Sequence, residues 1–168
     1  PNGYAYRYVK TMRLVSDEAR LVIEHELKNT GKRRIEAQQY NHNFFVIDGQ
    51  KTGPGVTVTF PFELKSMRPL RGDAGTVKGG QIAYTKPLER GQTFFGEFEG
   101  TAQASDYDIR IENQKAGAGV RIRGDRPLAK VVYWSIQTVF SPEPYIDVVA
   151  DPGQSTRWTY TYDFYDLK

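Results

Sequence analysis

The sequence predicts an all-β protein, built as an antiparallel β-sandwich or barrel with very little helix. Arg20–Lys28 and Trp158–Phe164 alternate large apolar or aromatic residues with polar ones, which is typical of half-buried antiparallel strands. Nowhere does an apolar spacing of three and four residues persist over the length of a helix. The chain also contains 11 Tyr and 9 Phe residues, and aromatic residues favour strands.

Turn residues place further strands along the chain. Asn29–Lys32 carries the Asn and Gly of a tight turn, so Arg20–Tyr40 is predicted to form a hairpin whose second strand is Arg33–Tyr40. Val56–Leu64 alternates again, but Pro61 would remove a ladder hydrogen bond and favours an edge or a bulge. Three more strands are predicted: Ile109–Glu112, Val120–Arg123 and the long apolar run Leu128–Phe140.

Two stretches are expected to differ from ordinary paired strands. Gly72–Gly91 is rich in Gly and poor in apolar residues, which predicts a long surface connection. Tyr4, Tyr6 and Tyr8 alternate at the start of the chain and predict a strand that needs a neighbour. Because the sequence begins at Pro1 and not at Met, we expect that a leader or a larger upstream segment was removed. If a leader was removed, the expected location is the periplasm or the exterior of the cell. If no leader was removed, the expected location is the cytoplasm.

Composition narrows the classes of function. The 168 residues are expected to form one β domain, residues 1–168. A net charge of +3 without a dense basic face predicts no nucleic-acid partner. The absence of Cys excludes disulfides and thiolate chemistry, and two distant His residues predict no metal site. No apolar run approaches the ~20 residues of a membrane-spanning helix, so no membrane partner is predicted.

The two histidines differ in their surroundings. His25 lies on the apolar face of its strand between Ile23 and Leu27, which predicts a core histidine. His42 follows Asn41 and precedes Asn43, Phe44 and Phe45, so amides can orient its imidazole and aromatic rings can wall a pocket. Imidazole gains and loses a proton near neutral pH, as general acid–base catalysis requires. An Asn-rich turn that happens to hold a His is the alternative.

Carboxylates supply the second set of candidates. Glu143 lies between Pro142 and Pro144, which we interpret as a rigid turn at the end of the long apolar strand. A carboxylate held close to aromatic residues such as Tyr145 can have a raised pKa and serve as an acid or base. A solvent-facing turn glutamate is the alternative. Asp106 and Asp108 precede another strand and could accept hydrogen bonds from hydroxyl groups or end a turn.

The order of these motifs resembles that of the galactose mutarotase (aldose 1-epimerase) superfamily. Leu27–Gly31 is similar to the family's strand and N-T-G turn, and the segment Tyr40–Phe45 is similar to the histidine segment that follows. Ser141–Pro144 is similar to the segment that carries the family's general base, and Asp151–Ser155 to the turn before its last strand. The matching motifs extend from Leu21 to Phe164 in family order.

The resemblance implies a fold, a chemistry and a set of residues. It implies a β-supersandwich and the interconversion of sugar anomers through ring opening, with His42 as general acid and Glu143 as general base. No cofactor is implied, since both steps are proton transfers. The sugar-binding residues implied or favoured by position are Asn41, Phe44, Asp108 and Tyr145. Asp108 is the nearest match to the family's sugar-binding aspartate and lacks the His that follows it there.

The resemblance also implies that the chain is one part of a larger unit. It corresponds to the C-terminal half of the family domain, so a covering partner is expected, either the upstream half or a second copy of the chain. Two functions remain open at this point. One is an epimerase acting on a small sugar, and the other is a carbohydrate-binding or structural β-sandwich that kept the scaffold without the chemistry.

Overall fold

A computed structural model describes residues 2–168 as two antiparallel sheets packed face to face. Strands make up 52% of the chain and helix 2%, so the all-β prediction is confirmed. Within residues 2–168, no helix has the length and the apolar character needed to cross a membrane. The strands are β1 (Tyr6–Leu14), β2 (Arg20–Asn29), β3 (Ile35–Gln39), β4 (Val56–Thr59), β5 (Gly75–Lys78), β6 (Gln81–Tyr84), β7 (Phe94–Glu99), β8 (Asp108–Asn113), β9 (Ala118–Gly124), β10 (Lys130–Ser135), β11 (Phe140–Ala150) and β12 (Ser155–Asp166).

The core lies between the inner faces of the two sheets. The larger sheet has the order β1-β2-β12-β9-β8-β4-β6-β5, and the smaller one has the order β3-β11-β10-β7. Both contribute fully buried side chains: Val58, Ile109 and Ile122 from the larger sheet, and Phe98, Tyr133 and Ile146 from the smaller. Burial of this apolar surface is the main source of stability, and it leaves the outer face of the smaller sheet free to carry polar groups.

The hairpin predicted for Arg20–Tyr40 is wrong. Strand β2 pairs with β1 and β12, whereas β3 pairs with β11 in the other sheet. The side chain of Asn29 is fully buried at this corner and donates hydrogen bonds of 2.8 and 2.9 Å to the carbonyls of Arg33 and Ala150. It therefore fixes the point at which the chain crosses from the larger sheet to the smaller one.

The long surface connection predicted for Gly72–Gly91 is also wrong, because the stretch contains the β5–β6 hairpin. Gly79 has φ of 56° and allows the tight turn between the two strands. Gly75 lies against the ring of Phe94, where an added Cβ would be 2.7 Å from the ring carbons. The glycines here serve turn geometry and close packing, which composition alone does not distinguish from a loop.

Two predicted strands are shorter than expected. Leu128–Phe140 is not one strand, since it divides into β10 and the first residue of β11, which pair as an antiparallel hairpin. Strand β4 ends at Thr59, two residues before Pro61. By contrast, the predicted strands around the Asn113–Gly117 turn are confirmed as the paired strands β8 and β9.

Candidate functional site

His42 and Glu143 lie together on the outer face of the smaller sheet. Nε2 of His42 is 3.4 Å from Oε1 of Glu143. Alternate residues of β11 point to opposite faces, so Ile146 is in the core while Glu143 faces outward. We call this outer surface the site face, defined by seven residues of β7, β10 and β11: Glu97, Lys130, Val132, Trp134, Ser141, Glu143 and Tyr145.

The two prolines explain how the chain brings His42 above this face. The prediction of a proline-rich turn is wrong, because Pro142 and Pro144 lie inside β11. Phe140 exchanges two backbone hydrogen bonds with Phe45 on the side of β3, so the two prolines present their nitrogens to that same side. Neither can donate a ladder bond there. Pairing with β3 therefore stops, and the irregular segment that carries His42 fills the space.

Two amides anchor the His42 segment from below. The Nδ2 groups of Asn41 and Asn43 donate hydrogen bonds of 3.3 and 2.8 Å to the hydroxyl of Tyr162 in β12. The side-chain oxygen of Asn41 also accepts a bond of 3.1 Å from Gln39. Asn41, expected to bind substrate, thus points toward the larger sheet and holds the segment in place.

The environments of His42 and Glu143 differ. Glu143 is only 5% exposed, and burial raises the pKa of its carboxyl, although the positive charges of His42 and Lys130 oppose this rise. The His42 side chain is 41% exposed. Its Nδ1 is 3.2 Å from the hydroxyl of buried Ser141, which orients the ring with Nε2 toward Glu143. One group can therefore accept a proton while the other gives one to an adjacent atom of the same ligand.

Aromatic rings surround the pair. Phe44 is 59% exposed, and its ring centroid lies 4.5 Å from that of His42 and 6.0 Å from that of Trp134. On the other side, Tyr145 stacks on Tyr40 with centroids 4.2 Å apart. Both Phe44 and Tyr145, which the sequence predicted to bind substrate, thus join His42 and Glu143 on the site face. Aromatic rings beside a few polar groups are typical of sites for small molecules.

Asp108, for which the resemblance implied a sugar-binding role, does not lie beside His42 and Glu143. It alternates along β8 with Ile109 and Ile111, which are both in the core, so it faces outward from the larger sheet on the far side of the sandwich. Arg121 donates two hydrogen bonds to its carboxylate, and the bond from Arg121 lowers the pKa of Asp108. Asp106 is part of a short 3₁₀ turn.

Three charged residues of the site were not found from the sequence. Glu97 is almost fully buried on the site face and forms ion pairs with Arg68 and with Lys130, whose Nζ lies 2.9 Å from Oε1 of Glu97. The only signal in the sequence was a Glu at an alternate position of the apolar stretch Phe94–Glu99. Among the residues that the structure describes, no three His, Asp or Glu side chains gather as a metal site would require.

Comparison with solved structures identifies the fold. The chain superposes on a protein from Synechocystis sp. PCC 6803 with a TM-score of 0.69 and 14% identity, over 98% of this chain and 56% of that one. A candidate aldose 1-epimerase from Escherichia coli gives 0.68 and 16%, over 98% and 62% of the two chains. A galactose mutarotase related enzyme from Lactobacillus acidophilus gives 0.67 and 12%, over 98% and 64%.

The protein therefore has a galactose mutarotase-like fold, and the resemblance noted in the sequence is confirmed at that level. The chain spans about 56–64% of the length of these three structures. No protein-family model matches the sequence. No curated protein matches it either.

Proposed function

We propose that this protein interconverts the anomers of a small aldose by acid–base ring opening, as an aldose 1-epimerase does. The contact between His42 Nε2 and Glu143 Oε1, at 3.4 Å, is the observation that carries the proposal. The two groups come from distant parts of the sequence and meet on an open face lined by aromatic rings. A cyclic aldose has its ring oxygen and its anomeric hydroxyl on one carbon, so two adjacent proton-transfer groups can reach both.

The proposed reaction needs only these two side chains. Ionised Glu143 removes the proton of the anomeric hydroxyl, whose oxygen becomes the carbonyl of the open-chain aldehyde. The bond from the anomeric carbon to the ring oxygen breaks, and its electron pair goes to that oxygen, which takes a proton from protonated His42. Rotation of the aldehyde group and the reverse transfers close the other anomer. Both side chains return to their starting states, so no electrons or groups are consumed.

Burial of Glu143 supports its role as the base. A carboxylate in water is a weak base, and burial makes it more basic by destabilising the charged form. Ser141 supports the role of His42, because a hydroxyl at Nδ1 leaves Nε2 to face the ligand. Phe44 and Trp134 lie on one side of the pair and Tyr145 on the other, where they can pack against the sugar ring. Asn41 acts through His42 and not on the sugar.

Polarimetry tests the proposal. Freshly dissolved α-D-glucose and α-D-galactose change their optical rotation slowly as they equilibrate, and the intact protein is expected to accelerate this change in proportion to its concentration. An unchanged rate with both sugars, together with saturable sugar binding in a calorimetric titration, would instead support the carbohydrate-binding function. An unchanged rate without binding would contradict both functions for these sugars.

We further propose that additional strands of the same fold cover the side of the sandwich formed by β1 and β3. Tyr6, Tyr8, Met12 and Leu14 lie on the face of β1 that continues the core, yet all of them are exposed. Within residues 2–168, strand β1 pairs only with β2 and has an open edge, which is a site for strand addition. The longer chains of the structural neighbours favour further polypeptide of this fold as the occupant.

A cavity of about 340 Å³ marks the same side, lined by Tyr6 and Ile35 from the two edge strands and by Trp158 of β12. Native mass spectrometry and hydrogen exchange of the protein from its source test this proposal. We expect a species heavier than 19.1 kDa in which the β1 amides on the open edge, away from β2, are protected. A mass of twice 19.1 kDa would show that the covering strands come from a second copy of the chain. A 19.1 kDa monomer in which the open-edge amides of β1 exchange freely would contradict any cover.

A further inference from the structure

Two buried carboxylates lie in one row across the site face. Val132 of β10 pairs with Glu97 of β7 on one side and with Glu143 of β11 on the other. Paired residues point to the same face of a sheet, so the two carboxylates flank Val132, about 10 Å apart at the backbone. Each residue is only 5% exposed. Buried carboxylates normally have a cationic partner, so the cations that each of these two carboxylates contacts can be compared.

The two carboxylates are partnered in opposite ways. Glu97 receives a hydrogen bond of 2.9 Å from the Lys130 ammonium and an ion pair from Arg68, and the bond from Lys130, aided by the Arg68 charge, lowers its pKa. Among the ion pairs of the described part of the chain, Glu143 has only the longer contact with His42, and burial raises its pKa. Glu97, which has two cationic partners, takes no part in the proposed reaction. Glu143, which accepts the proton in that reaction, is paired with neither of these two cations.

Lys130 is placed where it could serve either carboxylate. It pairs with Tyr145 on β11 and with Glu99 on β7, so Glu143 and Glu97 are both its diagonal neighbours, two residues along the adjacent strands. Long side chains reach such diagonal positions. The ammonium lies 4.7 Å from the centre of the Tyr145 ring and is bonded to Glu97. Among the ion pairs of residues 2–168, Lys130 has none with Glu143.

We propose that Glu97 is a positioning residue of the site, which holds the Lys130 ammonium and so keeps it from pairing with Glu143. This inference rests on the proposed function, in which the Glu143 carboxylate must be free to take a proton. An ammonium in direct contact would stabilise the charged carboxylate and make it a poorer base. Arg68 also forms an ion pair with Glu97, but the bond from Lys130 contributes more to the lowered pKa of Glu97, so Glu97 stays charged and holds Lys130 without Arg68.

The groups that act on Glu143 are few. His42 faces it from the segment after β3, and Lys130 faces it from β10. Tyr145 is its neighbour on the same face of β11, with Tyr40 stacked on that ring. Glu97 and Arg68 lie one strand further away. After His42, Lys130 is the cation with the largest effect on the pKa of Glu143.

A double-mutant cycle on the pKa of Glu143 tests the inference. The carboxyl of Glu143 is titrated by NMR in protein with ¹³C-labelled Glu, its signal being assigned from Glu143→Gln. Glu97→Gln is expected to lower this pKa, because Lys130 becomes free to pair with Glu143. Lys130→Met is expected to raise it. In the Lys130→Met background, Glu97→Gln is expected to have a much smaller effect, since only the distant charge of Glu97 is then lost.

Equal shifts from Glu97→Gln in both backgrounds would overturn the inference, since Lys130 would then play no part. Arg68→Gln is the matched control, because it removes one charge from the same cluster without releasing Lys130, and it should leave the titration of Glu143 close to wild type. Should Glu97→Gln not fold, Glu97→Asp is read in the same way, as its shorter side chain loosens the hold on Lys130. The acidic limb of the mutarotation rate should move in the same directions as the pKa.

This titration does not depend on catalysis. If the protein fails to accelerate mutarotation but the cycle behaves as expected, the proposed function fails and the positioning role of Glu97 remains. If mutarotation is accelerated and the cycle shows no coupling, the function remains and the role of Glu97 is refuted.

Discussion

The hydroxyl of Tyr162 accepts a hydrogen bond of 2.8 Å from the side-chain amide of Asn43. Tyr162 lies in β12 of the larger sheet, whereas Asn43 lies beside His42 above the smaller one. The bond therefore ties the segment that carries His42 to the core across the gap that Pro142 and Pro144 leave in the strand pairing. A hydroxyl in one sheet thus determines the position of an imidazole on the other.

Tyr162→Phe should accordingly reduce catalysis without abolishing the fold. The variant removes the acceptor of both amide bonds, so the His42 segment is free to move, and a displacement of about 1 Å at a reacting group can cost ~100-fold in rate. We expect at least a tenfold loss of mutarotation rate with a circular dichroism spectrum like that of wild type. Tyr165→Phe, which removes a hydroxyl bonded to Glu112 on the far side of the sandwich, should retain the full rate.

Glu143→Gln should stabilise the protein at neutral pH. Because the pKa of Glu143 is raised by folding, the native state binds more protons than the unfolded state between the ordinary and the raised pKa. Ionisation of Glu143 therefore lowers the free energy of unfolding as the pH rises through that window. Urea unfolding should show the variant more stable than wild type near pH 7, with a smaller difference near pH 4.

Glu97→Gln is the matched variant with the opposite sign. The pKa of Glu97 is lowered by folding, so this carboxylate contributes stability above its unfolded pKa and loses it as the pH falls. The variant should be less stable than wild type near neutral pH, and the difference should shrink in acid. Finding the stability of both variants shifted in the same direction at neutral pH would show that cationic partners do not separate these two equally buried carboxylates as described.

His25 should make the protein sensitive to mild acid. Burial lowers the pKa of His25 from 6.5 to about 4, with a smaller contribution from the charge of Lys10. The unfolded state therefore binds one more proton between these values, and the free energy of unfolding falls by up to about 1.4 kcal/mol per pH unit as the pH drops below 6.5. Measured by urea unfolding, His25→Gln should flatten this dependence, and an unchanged dependence in that variant would contradict the account of His25.

Gly75→Ala tests the close packing of the β5–β6 hairpin. The new methyl group would lie 2.7 Å from the ring of fully buried Phe94, so the ring or the strand must shift. We expect a loss of about 1–3 kcal/mol in the free energy of unfolding, as for other overpacked cores. Lys78→Ala, at an exposed position of the same strand, should have little effect. Equal stability of the two variants would contradict the packing described here.

The sequence allowed the strands with clear alternation to be predicted, and β2, β8, β9 and β12 lie close to their expected places. Which strands pair was harder to foresee. The pairing of β3 depends on the buried side chain of Asn29, and its bond to the Ala150 carbonyl is made by residues far apart in the chain. The stretch that contains Gly75 and Gly79 was predicted as a loop because the sequence does not distinguish a glycine that packs against a ring from a glycine in a flexible turn.

The candidate site was predictable only where its residues lie in local sequence motifs. His42, Glu143, Phe44 and Tyr145 were found from local motifs, and the structure brings them to one face. Glu97 was missed because its place beside Glu143 depends on the register of three strands. Asp108 was misplaced because alternation in β8 shows which residues face outward but not from which sheet.

The most direct test of the proposed acid–base pair is the exchange between anomers at equilibrium. Two-dimensional exchange NMR on the anomeric protons of glucose and galactose measures this rate with and without protein. We predict cross-peaks between the α and β anomers that grow with protein concentration, and a fall of about 100-fold or more with His42→Asn and with Glu143→Gln. If both variants exchange the anomers as fast as wild type, or if wild type exchanges neither sugar, the account of His42 and Glu143 is contradicted.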